Sequence, residues 1–368
     1  MKRNAFINVI AAAAVIVAAT TGQGWAKMIF ARNSDHFLPA SSLPALAITI
    51  SQGAENVYLS LAMSADNQVI LLEDTVIDEL TNAAEVFPEK AREDGSYHIL
   101  DFTRDELQQL SLLSSVPTAL SPAPRIGITT LEEALSLIRV MQDNLGRKIG
   151  IIGEIKNSWH YLHENRDISR AVIDICRRHG YTDGDSGFII ASYDPEELQR
   201  IQEELFDQAE IDLKILQLTE PNSGTQTRRF ERGRWLPYNY DWLYTKFGLK
   251  AASTYTDIIS LSPDFLVSET GDLLNQQYIE DAHILGMSVV VSSIDQYAGS
   301  LPSFSTSFKS LVDLYLFTAG ADGLITEQDQ LIRGFLESPS PENSSEEHDK
   351  TTIELLLENL KKQQQPNN

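Results

Sequence analysis

Short apolar runs rich in β-branched residues alternate with helical patterns along most of this chain. That alternation constrains the fold more than any other feature. The runs fall at residues 28–31, 57–62, 69–72, 149–155, 188–192, 213–218, 258–261, 288–292 and 323–325. Helical patterns fall at 43–51, 131–144, 167–178, 195–206, 278–285, 308–317 and 330–336. Thr130 with Glu133 three residues on forms a capping box, and Asp194 before Pro195 is an N-cap followed by proline at the first helical position. Strand then helix, repeated this often, predicts a parallel sheet with helices outside. Eight such units over roughly 310 residues suit an α/β TIM (β/α)8 barrel. An open doubly wound sheet is the runner-up, without a glycine-rich dinucleotide turn to support it.

Residues 75–122 interrupt the alternation with little hydrophobic periodicity, and read as an insertion over the C-terminal mouth of the barrel. After Leu336 the composition turns to Ser, Pro and Glu, so residues 338–368 read as an acidic linker, a short helix over 352–362 and a tail. At the other end, Lys2 and Arg3 precede an apolar stretch at 5–19, and Gly24 and Ala26 supply small residues. This is the layout of a secretory signal peptide cleaved after Ala26, with the barrel at 27–337. The expectation is an exported, periplasmic or secreted protein without a membrane span.

Lys and Arg number 29 against 52 Asp and Glu, a formal charge of −23 over 368 residues. A surface this acidic repels phosphate backbones and anionic membranes on average, so nucleic acid is not an expected partner. The single cysteine, Cys176, excludes an intramolecular disulfide and sits in a helical apolar pattern, where packing explains it better than nucleophilic chemistry. His160 and His163 stand at i, i+3 without a third metal ligand in view.

Several stretches carry a family resemblance: Phe37-Leu38-Pro39, Val86-Phe87-Pro88, Asp101-Phe102-Thr103, Gly153-Glu154-Ile155-Lys156, Tyr238-Asn239-Tyr240-Asp241-Trp242 and Gly323-Leu324-Ile325-Thr326. Across residues 28–337 the chain resembles the bacterial periplasmic glycerophosphodiester phosphodiesterases, TIM barrels with an early insertion. The resemblance implies Ca²⁺ or Mg²⁺ on carboxylates at strand ends, two histidines as general base and acid, and an arginine and a lysine on the phosphate.

The match is uneven at those positions. Where the family has His-Arg-Gly, this chain has Ala31-Arg32-Asn33. Tyr58 and Ser60 occupy the two positions of the family's Glu-x-Asp metal pair, and Glu73-Asp74 stands for its His-Asp. The Glu-x-Lys pair is intact as Glu154 and Lys156. Residues i and i+2 of a strand share a face, so Tyr58 with Ser60, and Glu154 with Lys156, point together. No catalytic pair is therefore intact, Glu154 alone remains of the metal ligands, and Arg32 and Lys156 remain as anion-binding candidates. No cofactor is expected. Glu73 or His36 offers a route to a rearranged site that would still use Ca²⁺ or Mg²⁺. Three readings stay open for Arg32, Glu154 and Lys156: an ion network filling the mouth, a site for a small phosphate ester or other anion, or residual catalysis.

Overall fold

The computed structural model describes residues 27–32, 38–113, 125–295 and 301–337. The signal-peptide layout, Asn33, His36, Phe37 and the acidic tail lie outside the described residues. The strands are β1 (Met28–Ala31), β2 (Asn56–Met63), β3 (Val69–Leu71), β4 (Gly150–Ile155), β5 (Phe188–Ser192), β6 (Lys214–Gln217), β7 (Arg228–Glu231), β8 (Arg234–Pro237), β9 (Ile258–Leu261), β10 (Ser288–Ser292) and β11 (Gly323–Thr326). Eight of them run parallel in the order β1-β2-β4-β5-β6-β9-β10-β11, and β11 returns to β1. The sheet is closed, which makes it a (β/α)8 barrel and removes the open sheet from consideration.

The strands are buried on both faces, which is why they read as continuous apolar runs rather than alternating ones. Phe30, Tyr58, Ile152, Ala191, Leu216, Ile258, Val290 and Ile325 fill the lumen. Their strand neighbours, such as Ile29, Ala31, Val57, Leu59 and Ile151, face outward into a larger cluster shared with the helices. The helices begin where their caps say. The Ser42, Thr130, Asp167 and Asp194 side chains accept backbone N–H groups at helix starts, and Thr130 with Glu133 completes the capping box.

Three features differ from expectation. The run at 69–72 is not a barrel strand: β3 turns back antiparallel on β2, with Met63 opposite Val69. The stretch read as an aperiodic insertion organises its own apolar cluster, in which Ile77, Tyr97, Ile99, Phe102, Leu107 and Leu110 pack on Ala62, Ile70 and Leu72. Its helices are single turns, such as Ala83–Val86 and Arg104–Leu107, too short to show a 3.6-residue period. Finally, residues 228–237, where the sequence pattern predicts no element, form the β7–β8 hairpin.

Candidate functional site

The site grows from β2 and β4 at the C-terminal end of the barrel. Their parallel register sets Ser60 beside Glu154. The Ser60 hydroxyl donates to Glu154 Oε2 at 3.0 Å, and Lys156 Nζ lies 3.1 Å from Oε1. That second oxygen receives no well-directed hydrogen bond, so its contact with Lys156 is ionic. Glu154 is 0% exposed and Lys156 5%. Buried charges persist only when paired, and here each is the other's partner.

Arg32 follows β1 directly, held by its N–H to Thr326 O at 2.7 Å, and its guanidinium carbon lies 5.5 Å from the centre of the Tyr58 ring. Burial works against its charge, but Tyr58, Glu154, Tyr193 and Glu73 outweigh burial and hold the guanidinium more firmly protonated than usual. Burial, then Glu154 and Tyr193, push the Tyr58 phenol well above its ordinary range. Tyr58 is therefore a neutral group at neutral pH.

Acidic groups ring the two cations. Glu73, two residues past β3, is exposed to solvent at one side and lies within electrostatic reach of Arg32, Glu327, Lys156 and Glu154. Partial desolvation raises its carboxyl; Arg32 and Lys156 pull it down, while Glu327 and Glu154 push it up. Glu220 is also raised, chiefly by burial, although its Oε1 accepts Gln226 N–H at 2.9 Å and Thr227 N–H at 3.3 Å. Glu327 is placed by its own N–H, which donates to Asp295 Oδ1 at 2.6 Å.

The structure thus brings together Arg32, Tyr58, Ser60, Glu73, Glu154 and Lys156. It does not bring in Ala31, which belongs to the outer apolar cluster shared with the helices, while Phe30 takes the lumen. Tyr193, Glu220 and Glu327 join the site without having been singled out from sequence. Each lies one to three residues past the end of a barrel strand, where TIM-barrel sites are built, and that position was the available signal.

Hard cations demand several oxygen ligands, preferably anionic. At the positions the resemblance assigns to metal, Tyr58 and Ser60 offer neutral oxygens, and an ammonium sits against Glu154. Among the described residues no group of three or more His, Cys, Asp or Glu side chains gathers to hold a metal ion. This donor set does not fit Ca²⁺ or Mg²⁺.

The remaining candidates resolve differently. Cys176 is fully buried on the helix Ile168–Arg178, and burial pushes its thiol up, away from nucleophilic use. His160 and His163 ride the short helix Ser158–His163; His163 packs on Trp235 and Phe230, and His160 lies 6.5 Å, ring centre to ring centre, from His98. Residues 238–242 pack on the barrel: Trp242 Nε1 donates to the Tyr238 hydroxyl, and the Tyr240 hydroxyl donates to Tyr193 O.

Comparison with known proteins bears on this arrangement. Residues 32–329 match the model of the glycerophosphoryl diester phosphodiesterase family. A glycerophosphodiester phosphodiesterase of Treponema pallidum is 27% identical over 346 residues, covering 89% of this chain and 96% of that protein. One from Haemophilus influenzae is 27% identical over 325 residues, covering 82% and 87%. Among solved structures, an Oleispira antarctica phosphodiesterase in complex with the product sn-glycerol-3-phosphate superimposes with a TM-score of 0.56 at 16% identity, over 84% of this chain and 97% of that one. A glycerophosphodiester phosphodiesterase from Agrobacterium tumefaciens gives 0.53 at 14% identity, over 83% and 98%. At such identities the structural likeness speaks for the barrel alone. No helix among the described residues is long and apolar enough to cross a membrane.

Proposed function

The chain belongs to the glycerophosphoryl diester phosphodiesterase family, and from that premise we propose that it binds a small phosphate ester at its barrel mouth without the family's metal-dependent hydrolysis. One observation carries this reading: both Glu154 oxygens are engaged inside the protein, by the Ser60 hydroxyl and the Lys156 ammonium. A metal there would have to displace an ammonium with no other acidic ligand on β2 to help. Ala31, Tyr58, Ser60 and Glu73 stand where the family places two histidines and two carboxylates. Each missing acid or base forfeits roughly 10²–10⁴ in rate. Arg32 and Lys156 retain the charge that a phosphate oxygen would meet.

A second reading is favoured by Glu73. Its raised carboxyl, within electrostatic reach of Arg32, is suited to giving up a proton to a leaving alcohol. In that reading the protein is an active phosphodiesterase that cleaves glycerophosphodiesters to glycerol 3-phosphate and an alcohol. Incubating the purified protein with glycerophosphocholine and Ca²⁺ or Mg²⁺, with and without EDTA, separates the two. The first reading expects no release of glycerol 3-phosphate; turnover abolished by the chelator would sink it.

Export is supported by Lys2, Arg3, the apolar stretch at 5–19 and the small residues before Lys27. N-terminal sequencing of the protein from its native host should begin at Lys27.

A further inference from the structure

The charge of this protein is unevenly spread. Against a total of −23, four arginines (Arg228, Arg229, Arg232 and Arg234) crowd into seven residues of the β7–β8 hairpin with a single carboxylate, Glu231. Arg229 is paired with Glu196. Arg232 and Arg234 are exposed and form no ion pair among the described residues. Arg228 turns inward, 5.9 Å from the Trp159 ring centre, and its Nε is buried without a hydrogen-bond partner.

Aromatic packing holds the hairpin down. Trp235 lies 4.4 Å from Trp159 and 5.1 Å from both His163 and Phe230, ring centre to ring centre. Phe230 still leaves 54% of its surface in water. The turn joining the strands puts Arg232 at φ 51° and Gly233 at φ 79°. Positive φ at both central residues favours Asn-Gly or Gly-Gly, so arginine at the first gives up turn stability. Among the described residues its exposed guanidinium forms no ion pair that would account for that choice. The hairpin leaves the barrel after β6, and Trp159 after β4, so both stand on the C-terminal face that carries the mouth.

We propose that the β7–β8 hairpin docks this face onto a bilayer rich in anionic phospholipid. Arg232 and Arg234 meet headgroup phosphates, which match the guanidinium fork. Phe230 enters the boundary between headgroups and acyl chains, where an apolar ring beside cations is stable. The acidic remainder of the protein does not forbid this. At physiological salt the Debye length is about 8 Å, so charges beyond the contact are largely screened while those touching it are not. A single-stranded nucleic acid would also offer phosphates, but it needs successive aromatic platforms for its bases. Here Trp159 and Trp235 face each other, and Phe230 is the ring left exposed. The proposal is independent of what the mouth binds.

The test is co-sedimentation of the full chain with vesicles of phosphatidylglycerol and phosphatidylcholine in equal parts, against phosphatidylcholine alone. At about 0.1 M salt the anionic vesicles should take up the protein at least about tenfold better, and about 0.5 M salt should erode most of that excess. Arg232→Asn with Arg234→Gln should lower partitioning at least about tenfold, since each surface arginine contributes about fivefold. Asparagine suits the positive φ, so a melting temperature held or raised in this variant excludes a collapsed hairpin as the cause. Phe230→Ser should remove the binding that survives high salt. Equal uptake by both vesicle types would overturn the proposal, as would an Asn/Gln variant that binds undiminished. So would tighter binding to polyuridylate than to vesicles, or release from vesicles by about 20 mM inorganic phosphate at constant ionic strength, which would make free phosphate the ligand.

Discussion

Glu154 and Lys156, two residues apart on β4, place carboxylate and ammonium 3.1 Å apart where water scarcely reaches either. Alternation along the strand points them the same way, and burial makes each dependent on the other. Glu154→Gln strands the ammonium and should cost about 3–5 kcal/mol in urea unfolding, whereas Glu154→Gln with Lys156→Met should cost less than Glu154→Gln alone. If the double variant loses the sum of the two single losses, the pair is not coupled.

Anion binding at Arg32 and Lys156 should appear as thermal stabilisation. A ligand bound only to the folded state adds about 2.7 kcal/mol at a hundredfold excess over Kd. Glycerol 3-phosphate or inorganic phosphate should therefore raise Tm by several degrees at saturation, and Arg32→Ala with Lys156→Ala should erase the rise. A wild type that shifts no more than the double variant would leave the two cations as mere partners of the surrounding carboxylates.

The acidic rim gives that binding a pH dependence that Glu73 controls. Burial raises the Glu73 carboxyl, with Glu327 and Glu154 adding to it, so Glu73 keeps its proton to a higher pH than a free glutamate. Below the raised value Glu73 is neutral and stops repelling a phosphate held by Arg32 and Lys156. Phosphate sheds charge of its own toward acid pH, so the comparison is with Glu73→Gln: the wild type should gain affinity relative to that variant as pH falls and Glu73 takes up its proton. The folded state also binds this proton more tightly than the unfolded chain, so Glu73 costs stability as pH rises through its raised value. Glu73→Gln should accordingly raise Tm at neutral pH and leave it unchanged in acid. Calorimetric titration with phosphate, together with melting curves over the same range, checks both.

Calcium should find no stoichiometric site at the mouth. Titration calorimetry at millimolar Ca²⁺ should give no saturable heat for the wild type, with Glu154→Gln indistinguishable from it. One tight site that disappears in Glu154→Gln would contradict the reading of Glu154 as a structural partner.

Restoring a histidine at position 31 should not restore chemistry. Ala31 is 1% exposed and faces outward into the apolar cluster between the barrel and its helices, so a larger side chain there overfills a closed cluster. Ala31→His should lower stability by about 1–3 kcal/mol. Turnover of glycerophosphocholine by this variant would show that the β1 backbone can rotate to bring residue 31 into the lumen.

The barrel was legible because parallel strands covered on both faces leave continuous apolar runs, such as Ile149 to Ile155, that few other structures produce. The hairpin was not, because Arg228, Arg229, Glu231 and Arg234 carry no apolar alternation, and its packing rests on Trp235 meeting Trp159 from another connection. The second apolar cluster was hidden for a similar reason, since Tyr97, Phe102 and Leu107 come from turns too short to have a period. Within the site, Glu154 and Lys156 could be placed by counting along one strand. Ala31 could not, because the face it takes depends on Phe30 claiming the lumen. Tyr193, Glu220 and Glu327 belong to three separate connections that only closure of the barrel brings together.

The antiparallel return of β3 gives the wall beside the mouth a double allegiance. Leu72 N–H donates to Ser60 O at 3.0 Å, so the peptide that carries the Ser60 hydroxyl to Glu154 also anchors the edge of the second cluster. The stretch after β3 cannot swing away as a free flap without disturbing that peptide. A proteolytic nick between residues 75 and 112 should therefore register in amide exchange at Ser60 and Leu61, inside the barrel wall, as a loss of protection shared across the cut. Protection at Ser60 that survives the cut unchanged would show that the wall holds without the rim.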